Sequence, residues 1–268
     1  MALKIATWNI NSVRLRLPLV ERFLELDGPD VLCLQEIKCR EAEFPSSSLK
    51  KLGYQHVAIN AQKGYHGVAI VSRLPLIDVD RRDFCSKGDA RHVSACVVAG
   101  TNETVIVHNL YVPAGGDIPD VSQNDKFLHK LNFLDELKQL SREWSTGAKP
   151  TIVTGDLNVA PYESDVWSHK ALLKVVSHTP EETSRLKDII ASGDWCDAMR
   201  VVTPEPEKLY TWWSYRSPNW LEADKGRRLD HIWLCPKLAP RIADMKVLKD
   251  ARSWERPSDH VPVSLQLS

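Results

Sequence analysis

Several apolar, strand-like segments of this sequence end on side chains that could take part in chemistry. The stretch "TIVTGDLNVAP" runs from strand-forming residues straight into Asp156 and Asn158, two polar groups separated by one residue. "IATWNIN" reaches Asn9 in the same way, and "VLCLQEIK" reaches Glu36. Because functional residues concentrate in the loops at strand ends, we expect these side chains to meet in one site.

Three further segments repeat this arrangement. "VHNLYVPAGG" carries Tyr111 into a Pro/Gly loop, and "GRRLDHIW" places Asp230 inside an apolar run. "RPSDHVPVSL" sets Asp259 and His260 just before a final strand. Taken singly, each residue could simply close a turn or form a structural hydrogen bond. A buried charge needs a compensating neighbour, so each of these groups must lie beside a partner. Because many strand ends carry such groups, the set as a whole predicts one shared functional site.

The oxygen-bearing residues suit a hard divalent cation. Glu36 and Asn9 offer carboxylate and amide oxygens, the ligands that Mg²⁺ or Mn²⁺ takes while it retains several waters. The six cysteines are scattered without C-x-x-C spacing, which argues against a zinc site and for free thiols in a reducing compartment. We therefore expect Mg²⁺, with Mn²⁺ as the alternative ion, and a cytoplasmic location.

The other candidates suit hydrolysis of a phosphoester. Asp156 can orient or deprotonate a water, and His260 can donate to a phosphoryl oxygen if Asp230 fixes its other ring nitrogen. Tyr111 and Asn158 can hydrogen-bond the remaining oxygens. A metal, an activated water and donors around phosphorus are what this reaction requires. The sequence has no Walker loop and no G-x-S-x-G elbow, so nucleoside-triphosphate hydrolysis and serine hydrolysis lack support.

The overall composition is that of a globular protein with balanced charge. The 268 residues include 35 basic and 35 acidic side chains, so nucleic-acid binding would have to rest on a local basic patch. No apolar run approaches ~18 residues and the amino terminus carries no signal-peptide pattern, which predicts neither a membrane partner nor secretion. We expect the protein to be a monomer.

Strand patterns outnumber helical ones along the chain. Strands are predicted at 3–10, 30–36, 67–72, 92–98, 104–112, 150–156, 228–235 and 261–267. The spacing of apolar residues predicts helices at 18–26, at 122–144 with Ser122 as its cap, and at 184–192. Because no linker is long enough to divide the chain, residues 1–268 are predicted to form one α/β domain.

Seven short motifs, found in one order, carry a specific resemblance. They are "WNIN", "LQEIK", "GVAI", "NLYVPAG", "GDLNVAP", "RLDHIW" and "SDHVPV", and they extend over almost the whole chain. In this set the chain resembles the exonuclease III branch of the endonuclease/exonuclease/phosphatase superfamily. The resemblance implies a DNase I-like, four-layer α/β sandwich in which two packed mixed β-sheets are flanked by helices. It also implies a Mg²⁺-dependent DNA repair nuclease that cleaves duplex DNA 5′ to abasic sites and removes nucleotides or blocking groups from recessed 3′ ends.

The resemblance further implies a role for each candidate residue. The metal-binding set that it implies is Glu36, Asn9 and Asp259. The catalytic set that it implies is Asp156, which aligns the attacking water, Asn158 and Tyr111, which contact the phosphate, and the pair Asp230 and His260.

An aromatic and basic segment indicates how DNA could be held. "KLYTWWSYRSPNW" sets Trp212 near Arg216, a combination suited to stacking on a sugar while contacting phosphates, although aromatic core packing gives the same pattern. By resemblance, Trp212 and Leu229 are walls of an abasic-sugar pocket, and Arg216 enters the duplex. The further cations predicted to contact DNA are Arg14, Lys38, Arg227 and Arg228.

Three positions depart from the family pattern. Ala114 stands where relatives commonly carry Asn or Gln, Arg227 where they carry an apolar residue or Trp, and Asn11 where some carry Asp. The first two departures predict a weaker hold on abasic sites with retained 3′-end processing, against the alternative of neutral drift. Two other functions stay open: a phosphoesterase of the same fold acting on a small-molecule or lipid phosphate, and a DNA-binding scaffold without catalysis.

Overall fold

Segments rich in β-branched and aliphatic residues form two six-stranded sheets in the computed structural model, which describes residues 2–101 and 103–268. The strands are β1 (Leu3–Asn9), β2 (Val31–Gln35), β3 (His56–Asn60), β4 (Val68–Ser72), β5 (Leu76–Asp80), β6 (His92–Gly100), β7 (Glu103–Tyr111), β8 (Thr151–Asp156), β9 (Cys196–Asp197), β10 (Asp230–Leu234), β11 (Ile242–Val247) and β12 (Val263–Leu267). Met1 and Asn102, which the predicted domain 1–268 also includes, lie outside the described residues, so that domain assignment stays a prediction.

Both sheets are mixed. The first has the strand order β11-β12-β1-β2-β4-β3, and the second has the order β5-β6-β7-β8-β10-β9. In each sheet one central pair is parallel, β1 with β2 and β7 with β8, and the other pairs are antiparallel. Parallel neighbours end at the same edge of a sheet, so the residues that follow each parallel pair emerge side by side.

Successive side chains of a strand point to opposite faces of its sheet, so every second side chain lies in the space between the two sheets. Ile5 packs in this central apolar layer, and at its end Gln35 Nε2 donates to Asn109 Oδ1 of the opposite sheet at 2.7 Å. On the outer face of the first sheet, Trp8 packs edge-on against Phe23, with their ring centroids 5.8 Å apart. The core therefore has a central layer and outer layers.

Helices cover both outer faces. They are α1 (Leu17–Asp27), α2 (Ser46–Lys51), α3 (Asp125–Thr146), α4 (His169–Leu172), α5 (Pro180–Ser192), α6 (Ala198–Val202) and α7 (Trp220–Ala223). α1 contributes Phe23 to the first sheet, and α3 stacks Trp144 on His108 of β7, with ring centroids 3.8 Å apart. The order helix, sheet, sheet, helix confirms the predicted four-layer sandwich. In the part of the chain that the structure describes, no helix has the length and apolar character needed to cross a membrane.

Two helices begin differently from the prediction. α3 is capped by the side chain of Asn124, whereas the Ser122 hydroxyl donates to a neighbouring aspartate at 2.7 Å, so the prediction of Ser122 as the cap is wrong. α5 begins at Pro180, four residues before the predicted start. The reason is a capping box in which Thr179 and Glu182 each bond the other's backbone N–H and so satisfy the first turn of the helix.

Candidate active site

The ends of β1, β2, β7, β8 and β10 bring the predicted site residues to one edge of the sandwich. The strand register places Asp156 opposite both Tyr111 and Asp230. Asn9 joins the two sheets, because its Nδ2 donates to Glu36 Oε1 at 2.9 Å and to Asp156 Oδ2 at 2.8 Å. Side chains supplied by five strands therefore form one connected group.

Glu36 lies directly after β2 with a left-handed φ of 50°, a backbone region that non-glycine residues seldom occupy and that is often found at functional sites. Its Oε1 accepts from the Tyr111 hydroxyl at 2.9 Å, and Lys38 Nζ lies 2.6 Å from its Oε2. Burial acts to raise the pKa of Glu36, but Lys38 and the hydrogen bonds from Asn9 and Tyr111 outweigh it and hold the pKa below its usual value. The carboxylate is thus kept anionic beside the cavity.

Asp230, His260 and Asp156 form a buried chain of hydrogen-bonding groups. His260 Nδ1 lies 2.8 Å from Asp230 Oδ2, and His260 Nε2 lies 3.6 Å from Asp156 Oδ2. Burial acts to lower the pKa of His260, but the two carboxylates outweigh it and raise the pKa to about 10. Burial also raises the pKa of Asp156, an effect that His260 opposes. At neutral pH the ring is therefore a cationic donor that Asp230 holds in place.

Asn158 turns back toward Asp156 with a left-handed φ of 52°. Its backbone N–H donates to Asp156 Oδ1 at 3.0 Å, and its Nδ2 donates to Val112 O at 2.9 Å. Just before them, Gly155 allows β8 to approach β7, since a Cβ at this position would lie 2.0 Å from Leu110 O. The "GDLN" sequence thus delivers a carboxylate and an amide to the same edge of the sheet.

Asp259 is held at the cavity rim by two donors. Trp212 Nε1 donates to its Oδ2 at 2.9 Å, and Asn11 Nδ2 donates to its Oδ1 at 3.2 Å. Lys38 Nζ donates to Asn11 Oδ1 at 2.7 Å, so its ammonium connects Asn11 with Glu36. An amide at position 11 can donate to one neighbour and accept from the other, which an aspartate could not do.

Many of these groups line one cavity of about 820 Å³, and Asn9 and Asp230 lie behind its lining residues. The predicted catalytic and metal-binding residues among its lining are Glu36, Tyr111, Asp156, Asn158, Asp259 and His260. The predicted DNA-contacting residues among its lining are Trp212, Arg216, Arg227 and Leu229. The cavity therefore brings together an anionic reaction centre and an aromatic, basic wall.

Arg227 links two parts of this wall. Its Cζ lies 5.2 Å from the ring centroid of Trp212, within the range of a cation–π contact. Its Nη1 donates to Ser177 Oγ at 2.8 Å and to Val176 O at 3.1 Å. The guanidinium is consequently fixed between the Trp212 side and the Ser177 side of the cavity.

Three of the predicted DNA-contacting cations are absent from the cavity lining: Lys38, which pairs with Glu36, and Arg228 and Arg14. Arg228 is fully buried, with Nε 2.7 Å from Asp165 Oδ1 and Nη1 2.8 Å from Asp197 Oδ2, so the prediction of a DNA contact is wrong for Arg228. Its guanidinium forms ion pairs with these two buried carboxylates. Arg14 is exposed and lies 3.4 Å from Glu43, and its role in DNA binding stays a prediction.

Sequence reasoning missed two residues that support the site. Arg91 Cζ lies 4.9 Å from the Tyr111 ring centroid, and Arg91 Nη1 donates to Tyr111 O at 3.2 Å. Lys130 is buried in α3 and donates to Asn158 O at 2.7 Å. A signal for Lys130 existed, because it lies on the same helical face as the apolar Phe127. Arg91 has no comparable signal in the sequence.

The residues present fit a hard divalent cation. Glu36 and Asp259 are carboxylates that face the same cavity, whereas Asn9 turns its Nδ2 toward Glu36 and its Oδ1 accepts from Asn11 N at 3.0 Å, so its role as a metal ligand stays a prediction. The ammonium of Lys38 already lies 2.6 Å from Glu36 Oε2, which shows that positive charge is stabilised there. Asp156, Asp230 and His260 also have possible ligand atoms within 4.8 Å of one another, but the cationic ring of His260 has no lone pair to offer a metal. The carboxylates Glu36 and Asp259 suit Mg²⁺ or Mn²⁺.

Comparison with known proteins assigns the chain to a family. The pattern of the Endonuclease/Exonuclease/phosphatase family matches residues 6–260. The chain belongs to this family. Within the family, exodeoxyribonuclease III of Haemophilus influenzae is 31% identical over 271 residues, which cover 97% of this chain and 98% of that protein.

Solved structures of this family share the fold. The 3′ phosphatase NExo from Neisseria, determined with a product DNA hairpin, superposes with a TM-score of 0.90 at 32% identity and 99% coverage of both chains. An AP endonuclease from Archaeoglobus fulgidus superposes with a TM-score of 0.88 at 34% identity and 98% coverage of both chains. These likenesses confirm the predicted family resemblance and fold.

Proposed function

We propose that this protein, a DNA repair nuclease of the exonuclease III type, hydrolyses duplex DNA 5′ to abasic sites and removes nucleotides or blocking groups from 3′ ends. The observation that carries the proposal is the position of Glu36, Asp156 and His260 around one cavity whose other wall is aromatic and basic. An anionic ligand, a water-orienting carboxylate and a cationic donor are the groups that phosphoester hydrolysis needs.

In the proposed mechanism Asp156 orients the attacking water and accepts its proton as the water oxygen bonds to phosphorus. The P–O3′ bond breaks in the same step, and the departing 3′ oxygen takes a proton from solvent. Asn9 fixes one carboxylate oxygen of Asp156. Burial raises the pKa of Asp156 toward the range in which a carboxylate can act as a base. His260 Nε2 donates to a phosphoryl oxygen as negative charge develops on it, while Asp230 keeps the ring oriented and charged. Asn158 Nδ2 donates to Val112 O at 2.9 Å and to Asp156 Oδ2 at 3.2 Å, and in this proposal it turns the second N–H from Asp156 to another of the phosphoryl oxygens.

Glu36, Asn9 and Asp259 would hold Mg²⁺, or Mn²⁺ in its place, which supplies Lewis-acid stabilisation of the charge on the phosphoryl oxygens. Tyr111 has two functions in this proposal. Its hydroxyl orients the Glu36 carboxylate at 2.9 Å and lines the cavity, where it can also contact the phosphate.

The proposed substrate is double-stranded DNA with an abasic site or a recessed 3′ end. Trp212 and Leu229 offer an apolar surface to a deoxyribose, and exposed Arg216 can reach the duplex from the cavity rim. Lys38 and Arg14 are proposed to contact the phosphate backbone. The names of the relatives, an exodeoxyribonuclease, an AP endonuclease and a DNA-bound 3′ phosphatase, support this substrate class.

We also propose that the protein acts as a monomer in the cytoplasm. Every group assigned to the reaction comes from a single chain, which supports the monomer. The six cysteines are free thiols, and four of them are buried, which is the state expected in a reducing compartment.

Two other functions have less support. A phosphoesterase for a small-molecule or lipid phosphate does not require a basic, aromatic wall that extends from the reaction centre to exposed Arg216. A DNA-binding scaffold without catalysis would be expected to have lost part of the catalytic group, whereas Glu36, Asp156 and His260 are all present and connected through Asn9 and Asp156.

The test is a gel assay with Mg²⁺ on three duplexes: one with a single abasic site, one with an undamaged recessed 3′ end and one with a 3′-phosphate. Cleavage of the abasic and 3′-end substrates is expected, and Asp156→Asn should abolish it. An inositol phosphate assayed in parallel tests the small-molecule alternative. Hydrolysis of that compound without cleavage of any duplex would overturn the proposal.

A further inference from the structure

A buried ion pair, Lys130 of α3 with Glu182 of α5, lies behind the cavity. Both side chains are completely buried, and their charged ends are in direct contact. Removing two charges from water is costly, and apolar residues of similar volume often stabilise a fold equally well. Net stability is therefore a weak explanation for the pair, and its other partners indicate a different role.

Lys130 binds two backbone segments of the cavity. Its Nζ donates to Asn158 O at 2.7 Å and to Ala114 O at 3.2 Å. The loop around Ala114 fits tightly on the lysine stem, since a Cβ at Gly115 would lie 2.8 Å from Lys130 Cδ. Lys130 thus holds the carbonyl of Asn158, the residue proposed to contact the phosphate, against the loop that follows β7.

Glu182 binds a third segment. Both of its carboxylate oxygens lie 2.9 Å from Ser177 N, and its Oε2 also accepts from Thr179 N at 3.1 Å and from Thr179 Oγ1 at 2.7 Å. Ser177 lines the cavity and accepts from Arg227 at 2.8 Å. The ion pair therefore connects Asn158 with the cavity wall that carries Arg227.

We propose that Lys130 and Glu182 are positioning residues that hold Asn158 in the correct place for its contact with the scissile phosphate. Neither side chain reaches the cavity, so each acts through the backbone that it binds. The inference rests on the proposed function, because it assigns a purpose to the placement of Asn158. A displacement of about 1 Å in such a contact can lower the rate ~100-fold, so the effect should appear in turnover more than in substrate binding.

The test is the double substitution Lys130→Met with Glu182→Gln, which removes both charges while conserving side-chain length. The abasic-site assay should give a kcat lowered ~10- to 100-fold with a nearly unchanged KM, measured well below the melting temperature of the variant. The matched control is Lys138→Met with Asp188→Asn, an exposed pair at 3.0 Å that connects the same two helices. Its kcat should stay within about twofold of wild type.

A double-mutant cycle separates positioning from packing. If the pair acts through Asn158, adding the double substitution to Asn158→Ala should lower kcat by less than about threefold, whereas independent effects would multiply. If the double substitution does not fold, Glu182→Gln alone is measured in the same cycle. Wild-type kcat in a folded variant, or losses that multiply, would overturn the inference. An inactive wild-type protein would refute the proposed function instead.

Discussion

Arg227 lines the cavity proposed to hold an abasic sugar, and its replacement should change which DNA lesion the protein prefers. Its guanidinium covers the Trp212 ring at 5.2 Å and is anchored to Ser177 Oγ at 2.8 Å. A cation fixed there narrows the apolar space beside Leu229 and offers positive charge to a terminal phosphate. Ala114, on the same cavity, provides no side-chain donor.

The double substitution Ala114→Asn with Arg227→Trp should therefore raise the ratio of abasic-site incision to 3′-end removal. A donor restored toward a charged group is worth ~1.5–3 kcal/mol. The lost cation–π contact, which keeps Trp212 in place, offsets ~0.5–1 kcal/mol of this gain. The net effect of ~1–2 kcal/mol corresponds to a ratio raised roughly five- to thirtyfold.

The measurement is kcat/KM for the abasic duplex and for the recessed 3′ end, taken side by side on the same enzyme preparation. Both single variants are needed to divide the effect, and Arg227→Lys serves as the control because it retains the charge without the planar stack. An unchanged ratio in the double variant, with both activities intact, would refute the reasoning and leave neutral drift as the explanation of these two residues.

Four further predictions concern the metal, the proton donor and the stability of the fold. Glu36→Ala should require far more Mg²⁺ or lose turnover because an anionic ligand is gone; metal titration of the cleavage rate checks this, and full activity in excess EDTA would contradict it. His260→Ala should lower turnover ~100-fold or more with DNA binding largely intact, and a rate within about threefold of wild type would make the ring structural. Arg228→Met leaves the buried Asp197 carboxylate without its ion pair and leaves Asp165 with Arg200 alone, so urea unfolding should show a loss of about 3–5 kcal/mol while the folded variant keeps its DNA affinity; a loss below ~1 kcal/mol would contradict this. Burial lowers the pKa of His92 to about 3 and the pKa of His108 well below its usual value, so both rings are neutral in the folded protein. Their contribution to the free energy of unfolding is therefore complete above pH ~6.5, the value for an unfolded histidine, and is lost as the pH falls below it. In urea unfolding between pH 7 and pH 5, His108→Gln should reduce this loss by up to ~1.4 kcal/mol per pH unit, and an equal loss in both proteins would contradict the prediction.

The strands that the sequence predicted and those that it missed occupy different places in the sheets. All eight predicted strands are interior strands, and the four missed ones, β3, β5, β9 and β11, are the four sheet edges. An interior strand is covered on both sides and reads as an apolar run, as β4 does with every residue buried. An edge strand has one free side, and β5 is mostly exposed, so its sequence carries no comparable pattern.

The catalytic candidates could be identified from the sequence because each lies at or close to one end of a buried strand. Asp156 directly ends β8, and Glu36 directly follows β2, so their positions along the chain already place them at the edges of the sheets. Arg227 and Arg228 could not be told apart in this way. They are adjacent in the sequence, yet one faces the cavity and the other is enclosed by carboxylates that lie 31 and 63 residues away.

The sequence by itself therefore determined the interior strands, the residue types at their ends and the family to which they point. Only the tertiary structure decided which charges are buried and with what they pair. Asn9 bridges Glu36 and Asp156 across two sheets, and Lys130 meets Glu182 from another helix. Local patterns reflect how one segment is buried, whereas pairing between distant segments depends on how sheets and helices pack against each other, which no local spacing encodes.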